Sequence, residues 1–327
     1  MIKICLSFVV SLVITAVLLK VFIPVLRKVK LGQKILEIGP NWHKSKEGTP
    51  TMGGLFFITG IAVSVLIFGL PDAIRRGDYT VAVNLGFAVL TGAVGFIDDY
   101  VKLFKKQNKG LSPSQKMAFL IVTSGAYLWV MNAMGKIDTK ISIPLTDLQI
   151  ELGVFYYIIA ILVMVYFINC ANLTDGIDGL AGSISCIIMT MFFIFSLFFE
   201  KQDMGVFTAA VIGALLAFLY FNFYPAKVFM GDTGSLFLGS VTMLMGFWTN
   251  ASILIFFIGL IYFIEGVSVI LQVGYYKMTK KRLFKMAPIH HHFEMKGWSE
   301  LKIVGVFSAV TVVCCAVAYV ILYFNNI

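Results

Sequence analysis

The chain has 327 residues, of which 59% are apolar and only 13% charged, with a mean hydropathy of +0.90. A soluble fold carries roughly a quarter of its residues charged to keep its surface wet, so a water-soluble globule is excluded. The formal net charge of +9 invites a nucleic-acid reading, and the placement of that charge along the chain has to decide it.

Apolar runs of about 20 residues, long enough to cross a bilayer, start at the N-terminus. The first, near 2–26, is followed at once by a dense basic stretch, which marks it as a retained span and not as a cleavable signal. The polar segment that follows closes on NWHKSKEGTPTMGG. There Lys46 sits beside a Gly/Thr-rich turn resembling an anion cradle; it is no Walker A loop, because GxxxxGK[ST] is absent.

Runs near 53–70 and 79–97 come next, the latter ending in GFIDDYVK. On a helix Asp98 and Asp99 point about 100° apart and cannot grip one ion as a flat fork. Asp98 and Lys102 are four apart and share a face. An interfacial ion pair and a carboxylate–ammonium pair aimed into a pocket both fit.

After runs near 117–135 and 152–171, NLTDGIDGLAG (Asn172–Gly182) opens the run at 177–199. Asp175 and Asp178, three apart, would share a helical face. An N-cap at Thr174 or Asp175 accounts for one of these groups, but not for Asn172, Asp175 and Asp178 together. The run near 205–224 leads into FNFYPAKVFMGDTGSL, where Pro225 ends the helix and Gly231 and Gly234 let the backbone bend around Asp232. Mg²⁺ prefers hard oxygens, commonly one or two carboxylates plus phosphate oxygens, and a helix N-terminus favours anions. Asp232 therefore fits metal and anion binding, with simple N-capping as the plainer reading. Phe229 beside it can stack on a base or merely pack.

The last runs lie near 235–250, 252–275 and 301–324. The run at 252–275 carries Glu265 near its middle, where an acid must face protein or a water-filled cavity. Before the final run, MAPIHHHFE presents His290, His291 and His292. Consecutive histidines do not converge on zinc, and no cysteine or carboxylate spacing completes a tetrahedral site. Imidazoles donate to phosphate oxygens and hydroxyls, which favours substrate binding. The five cysteines fall in or at the ends of apolar runs with no CxxC and read as small buried hydrophobes.

These ten runs alternate two sets of loops, and one set holds nineteen of the 26 basic residues. The positive-inside rule puts that set in the cytoplasm and both termini outside. The charge is a topology signal, with a second use in holding anionic lipid heads or phosphorylated substrates; nucleic acid is not an expected partner. Asp98, Asp99, Asp175, Asp178 and Asp232 all fall at run ends on the same side. Something positive must offset them, and the candidates are Lys46, Lys102, Lys116, the histidines and a metal ion. An ion-coupled transporter would instead place ionisable groups near the midplane on broken, paired helices, where only Glu265 sits. The expectation is an all-α, polytopic integral membrane protein with about ten transmembrane helices and extracytoplasmic termini. It forms one domain over 1–327, with cytoplasmic loops near 27–52, 98–116, 171–178, 225–235 and 276–300.

In order along the whole chain, HKSKEGTPTMGG, DDYVK, NLTDGIDGLAG, FNFYPAKVFMGDTGSL and APIHHHFE resemble the polyprenyl-phosphate N-acetylhexosamine-1-phosphate transferase superfamily. The GTPTMGG and PIHHHFE forms point to its muramoyl-pentapeptide branch; a polyprenyl-phosphate N-acetylglucosamine-1-phosphate transferase is the alternative. The resemblance implies a Mg²⁺-dependent enzyme of the bacterial cytoplasmic membrane. Undecaprenyl phosphate attacks the β-phosphate of UDP-N-acetylmuramoyl-pentapeptide, releasing UMP and leaving lipid I for peptidoglycan synthesis. It further implies that Asp232 binds Mg²⁺ and that Asp98, Asp99, Asp232 and His290 are catalytic. Lys46, Thr51, Lys102, Lys116, Asn172, Asp175, Asp178, Asn222, Phe229, His291 and His292 would bind substrate. A homodimer, inhibited by nucleoside antibiotics, is expected from the same source.

Overall fold

The computed structural model describes residues 1–28, 48–104, 110–146, 148–249 and 253–325. Lys46 and most of the predicted 27–52 loop lie outside them. Among the described residues the chain is helical apart from one short hairpin. The helices are α1 (Ile2–Lys28), α2 (Gly54–Phe68), α3 (Leu70–Arg76), α4 (Thr80–Phe104), α5 (Pro113–Ala133), α6 (Val154–Thr174), α7 (Leu180–Phe198) and α8 (Gln202–Asn222). They continue as α9 (Gly231–Trp248), α10 (Ile255–Ile258), α11 (Leu260–Thr279), α12 (Ile289–Glu294) and α13 (Glu300–Asn325). Strands β1 (Lys140–Ser142) and β2 (Gln149–Glu151) pair antiparallel between α5 and α6, with Ile141 opposite Ile150.

Seven segments among the described residues are long and apolar enough to cross a membrane: α1, α2 with α3, α4, α6, α7, α8 and α13. This is a multi-pass, all-α membrane protein. Helices α5, α9 and α11 coincide with the other predicted runs. Their polar residues, such as Asn132 in α5, Asp232 in α9 and Glu265 in α11, dilute the apolar signal.

Burial follows from the sequence pattern. Helix α1 buries Ile4, Ser7, Ser11, Thr15, Leu19 and Ile23 along one stripe and exposes Val9, Val13, Val17 and Val21 along another. The valines suit lipid, and the small hydroxyl residues let α1 approach α2 and α8 closely. Ser7 donates to the carbonyl of Val206 (2.8 Å) and pairs with the Ser64 hydroxyl (2.9 Å), each such bond contributing about 0.6 kcal/mol between membrane helices. Helix α9 packs against α2, α4, α6 and α7 and is buried continuously from Thr233 to Gly246. Being covered on all sides, it needs no amphipathic pattern, only small residues where neighbours come close.

Helix α4 joins the two ends of the molecule. Asp98 lies 18 residues beyond Thr80, or about 27 Å at ~1.5 Å per residue. Near the Thr80 end lie the starts of α1 and α8 and the end of α3, tied by Lys3–Asp72 (2.5 Å) and Arg76–Asp203. Near the Asp98 end lie the starts of α5 and α9 and the end of α6, and that is where the polar motifs meet.

Candidate active site

Asp232 stands in the first turn of α9 because two contacts bring that turn against the bundle. The chain before α2 runs alongside the loop before α9: Phe229 N–H donates to Pro50 (2.8 Å), Gly53 N–H to Phe229 (2.8 Å) and Gly54 N–H to Met230 (3.0 Å). This places Thr51, which is buried, beside Gly231. On the other side, Gly95 of α4 lies so close that a Cβ there would stand 2.2 Å from the Asp232 carbonyl oxygen. A larger residue at 95 would push α9 away.

Three carboxylates converge here: oxygens of Asp98, Asp99 and Asp232 all lie within 4.8 Å of one another. Two ammonium groups face them. Lys102 reaches Asp98 (2.5 Å) and Asp232 (3.1 Å), and Lys116 reaches Asp232 (2.9 Å). The i, i+4 pairing of Asp98 with Lys102 is thus present, but Lys102 also bridges to a helix 130 residues away. Asn172 completes the ring. Its amide donates to Asp232 Oδ1 (2.8 Å) and to the Ser235 hydroxyl (2.7 Å), while its carbonyl oxygen accepts from Lys116 (3.2 Å). Asp98 also accepts from the Leu111 N–H (2.7 Å). Among the described residues the cluster is therefore carried on α4, α5, α6 and α9, three acids against two lysines.

Asp175 and Asp178 do not open a helix. Asp175 is the C-cap of α6, Thr174 lies inside that helix and bonds back to Cys170, and α7 begins only after Gly179. The N-cap expectation for Thr174 or Asp175 is corrected accordingly: Gly179, at a φ of +79°, lets the chain turn between two helices where one was expected to start. Asp175 follows Asn172 by three residues and is partly exposed. Asp178 is buried and accepts from the Ala226 N–H (2.9 Å), and Asn222 accepts from Gly179 N–H (3.1 Å) while donating to Val228 (2.9 Å). Both side chains lash the Phe223–Val228 loop to the start of α7. Phe229, partly buried, lies at the far end of that loop.

The histidines are divided by their surroundings. His290 is fully buried, its Nδ1 3.1 Å from the equally buried Glu265 Oε2 but not in the geometry of a hydrogen bond. Its Nε2 lies against Gly176, where a Cβ would come within 2.2 Å. Glu265 thus faces protein, and the histidine segment meets the Asn172–Gly179 turn at Gly176. His291 pairs with Glu294 (2.5 Å). His292 Nδ1 accepts from the Lys285 N–H (3.1 Å), and burial, with Lys296 and Lys285 nearby, holds its pKa below the usual imidazole value, keeping it neutral at physiological pH.

The donor set suits a hard divalent cation. Every candidate ligand is a carboxylate oxygen, the acids outnumber the lysines, and no cysteine is among them. Sequence reasoning missed Thr233, Ser235 and Gly95. The two hydroxyls stand in GDTGSL beside Asp232, and hydroxyls in the first turn of a helix are the signal that points to them.

Comparison with known proteins adds an independent line. The family model of glycosyl transferase family 4 matches residues 81–250, and phospho-N-acetylmuramoyl-pentapeptide-transferase signature 1 matches residues 46–58. A phospho-N-acetylmuramoyl-pentapeptide-transferase of Clostridium perfringens (strain SM101 / Type A) is 46% identical over 319 residues, covering 97% of this chain and 96% of that protein. The one from Clostridium beijerinckii is 41% identical over 98% of this chain and 97% of its own length. That of Listeria monocytogenes serotype 4b (strain CLIP80459) is 41% identical over 95% of this chain and 97% of its own.

Proposed function

The chain belongs to the phospho-N-acetylmuramoyl-pentapeptide-transferases of glycosyl transferase family 4, and from that premise we propose how it works. It is a transferase of peptidoglycan synthesis, moving phospho-N-acetylmuramoyl-pentapeptide from its UDP derivative to undecaprenyl phosphate, with lipid I and UMP as products. It does so at the cytoplasmic face of the bacterial inner membrane, on a bundle of ten spans. The observation that carries the reading is the convergence of Asp98, Asp99 and Asp232 with Lys102, Lys116 and Asn172 at one end of the helices.

Two phosphates must meet, so electrostatic repulsion is the main obstacle and positioning the main task. Asp232 would hold a Mg²⁺ ion, with Asp98 beside it. When bound, that ion supplies charge neutralisation on the pyrophosphate oxygens. Lys102 and Lys116, which both face Asp232, neutralise the phosphate oxygens directly. The turn holding Asn172, Asp175 and Asp178 receives the nucleotide-sugar together with Thr51, Asn222, Phe229 and the histidine segment, His290 to His292. An oxygen of the lipid phosphate bonds to the β-phosphorus, and the bond from that phosphorus to the UMP oxygen breaks. A phosphate monoester has its second pKa near ~6, so the nucleophile arrives mostly dianionic and has no proton to lose. Asp98 therefore orients the nucleophile more than it removes a proton.

UMP release from UDP-N-acetylmuramoyl-pentapeptide tests the reading, with and without Mg²⁺ and polyprenyl phosphate. Release that needs both, and that vanishes in Asp232→Asn, is the expected result. Release without acceptor would instead favour a covalent intermediate, and recovery of Asp98→Asn at raised pH would make Asp98 a base.

A further inference from the structure

Asp98 and Asp99 are neighbours on α4, yet their carboxylates are held by different parts of the molecule. Asp98 accepts from Lys102 one turn on and from the N–H of Leu111 in the loop beyond its own helix. Asp99 reaches across to α9. Its Oδ1 accepts from the Asp232 N–H (3.2 Å), and its Oδ2 accepts from the Thr233 N–H (3.0 Å) and the Thr233 hydroxyl (2.7 Å).

The two N–H groups belong to the first turn of α9, where backbone donors have no acceptor within the helix. Such donors are ordinarily satisfied by the N-cap side chain. Here the N-cap is Met230, which makes no side-chain cap bond. The acceptor comes from another helix. A carboxylate offers about four acceptor positions, and three of those on Asp99 are taken. The group is buried, and a Cβ on Gly231, which has a φ of +73°, would come within 2.5 Å of its Oδ2. A partner attacking through Oδ2 would have to displace these donors, and a partner at Oδ1 would have to share it with the Asp232 amide in a site with little room.

We propose that Asp99 is a positioning residue: it caps α9 from α4 and so fixes where Asp232 stands, and it is neither a ligand of the metal ion nor a nucleophile. This rests on the reading of Asp232 as the ion's ligand. The coupling is short, because one of the amides Asp99 holds is that of Asp232 itself.

The test uses the full-length protein in lipid nanodiscs, with Mn²⁺ as the probe, read by electron paramagnetic resonance. Amide hydrogen exchange at the start of α9 and UMP-release kinetics are measured alongside. Asp99→Asn swaps one acceptor oxygen for an amide NH₂, a donor facing donors, and Asp99→Ala removes both oxygens. Both are expected to lower kcat at least about tenfold, the equivalent of one lost hydrogen bond to a charged group. KM for the nucleotide-sugar and the Mn²⁺ dissociation constant should each stay within about threefold of wild type. Asp232→Asn raises the Mn²⁺ constant by more than about tenfold, as loss of a carboxylate ligand demands.

Thr233→Val, which replaces the hydroxyl with a methyl and leaves the backbone N–H, should lower kcat in the same direction and add little on top of Asp99→Asn. Exchange of the Asp232 and Thr233 amides should accelerate in Asp99→Ala. A Mn²⁺ constant raised in Asp99→Asn as far as in Asp232→Asn would overturn the inference. So would a silent or fully additive Thr233→Val, or unchanged exchange in Asp99→Ala. If Asp232→Asn instead binds Mn²⁺ like wild type, the metal reading of Asp232 falls, while the exchange data decide the cap by themselves.

Discussion

The two ends of α4 carry charge in opposite ways. At the Thr80 end acids and bases are matched: Asp72 pairs with Lys3 (2.5 Å), Asp78 with Lys136 (2.7 Å) and Asp203 with Arg76. At the Asp98 end three acids share two lysines, and both Lys102 and Lys116 bond the same oxygen of Asp232. In the first arrangement each acid has at least one base of its own, Asp72 having Arg75 as well as Lys3, and the Lys136–Asp78 pair is 40% and 37% exposed. Exposed pairs of that kind contribute about 0–1 kcal/mol. In the second, Asp98 is only 4% exposed and Asp99 is buried, and among the described residues the acids outnumber the lysines that bond them. Burying uncompensated carboxylates is costly, so such a cluster persists where a cation and a polyanionic substrate complete it. A surplus of one sign among buried acids points to chemistry, and acids that each have their own base point to scaffolding.

The sharpest way to break this contrast is Asp232→Asn. Loss of the group to which Lys102, Lys116 and Asn172 all point should reduce UMP release by a factor on the order of 10³. Retention of a tenth of wild-type turnover would refute the assignment. Next comes Lys116→Met, which keeps the aliphatic stem and removes the charge. A fall of about 10²-fold is expected, and a larger effect on kcat than on KM would show that the charge acts chiefly in the transition state.

Gly95→Ala probes the packing that builds the cluster. Its methyl would meet the Asp232 backbone, so turnover should fall more than about tenfold and unfolding should become easier by about 1–3 kcal/mol, the usual result of overpacking. Unchanged thermal denaturation would mean that α4 and α9 yield easily. At the matched end, Arg76→Ala and Lys136→Met should leave turnover within about twofold and shift stability by less than about 1 kcal/mol. A collapse of activity there would erase the distinction between the ends.

The smallest effect concerns acid. Burial pushes the Asp78 carboxyl up, but Lys136 and Thr80 outweigh it and bring its pKa to about 2, below the ~3.9 of an unfolded Asp. Its contribution is present above about pH 4 and is lost as the pH falls toward 2. Screening by solvent limits it to less than about 1 kcal/mol. Asp78→Asn should flatten that part of the acid-denaturation curve, and an identical curve would show the pair to be without weight.

Much of this was legible beforehand. Helices coincide with the predicted apolar runs, and Asp98, Asp99, Asp232, Lys102, Lys116 and Asn172, singled out as polar groups at run ends, do meet. The Asn172–Gly179 segment was harder: acids three apart near glycine read equally as a helix start or a turn, and only packing against His290 and the 223–228 loop chose the turn. Glu265 was visible as an acid too deep for lipid, but its partner, His290, lies 25 residues on.

What the residues determined alone is what depends on local, additive quantities. Transfer of apolar side chains into lipid sums along a run, so the apolar spans follow without a structure, and basic residues in short loops sum to an expected orientation. Which donor each carboxylate takes is a different kind of question. A carboxylate on α4 bonds whatever amide or ammonium is packed within about 3 Å, and only the approach of α9 along Gly95 brings Asp232 and Thr233 to Asp99 from more than a hundred residues away. Hydrogen bonds are short-ranged and directional, and that is why the different partners of two adjacent aspartates were decided by the tertiary fold.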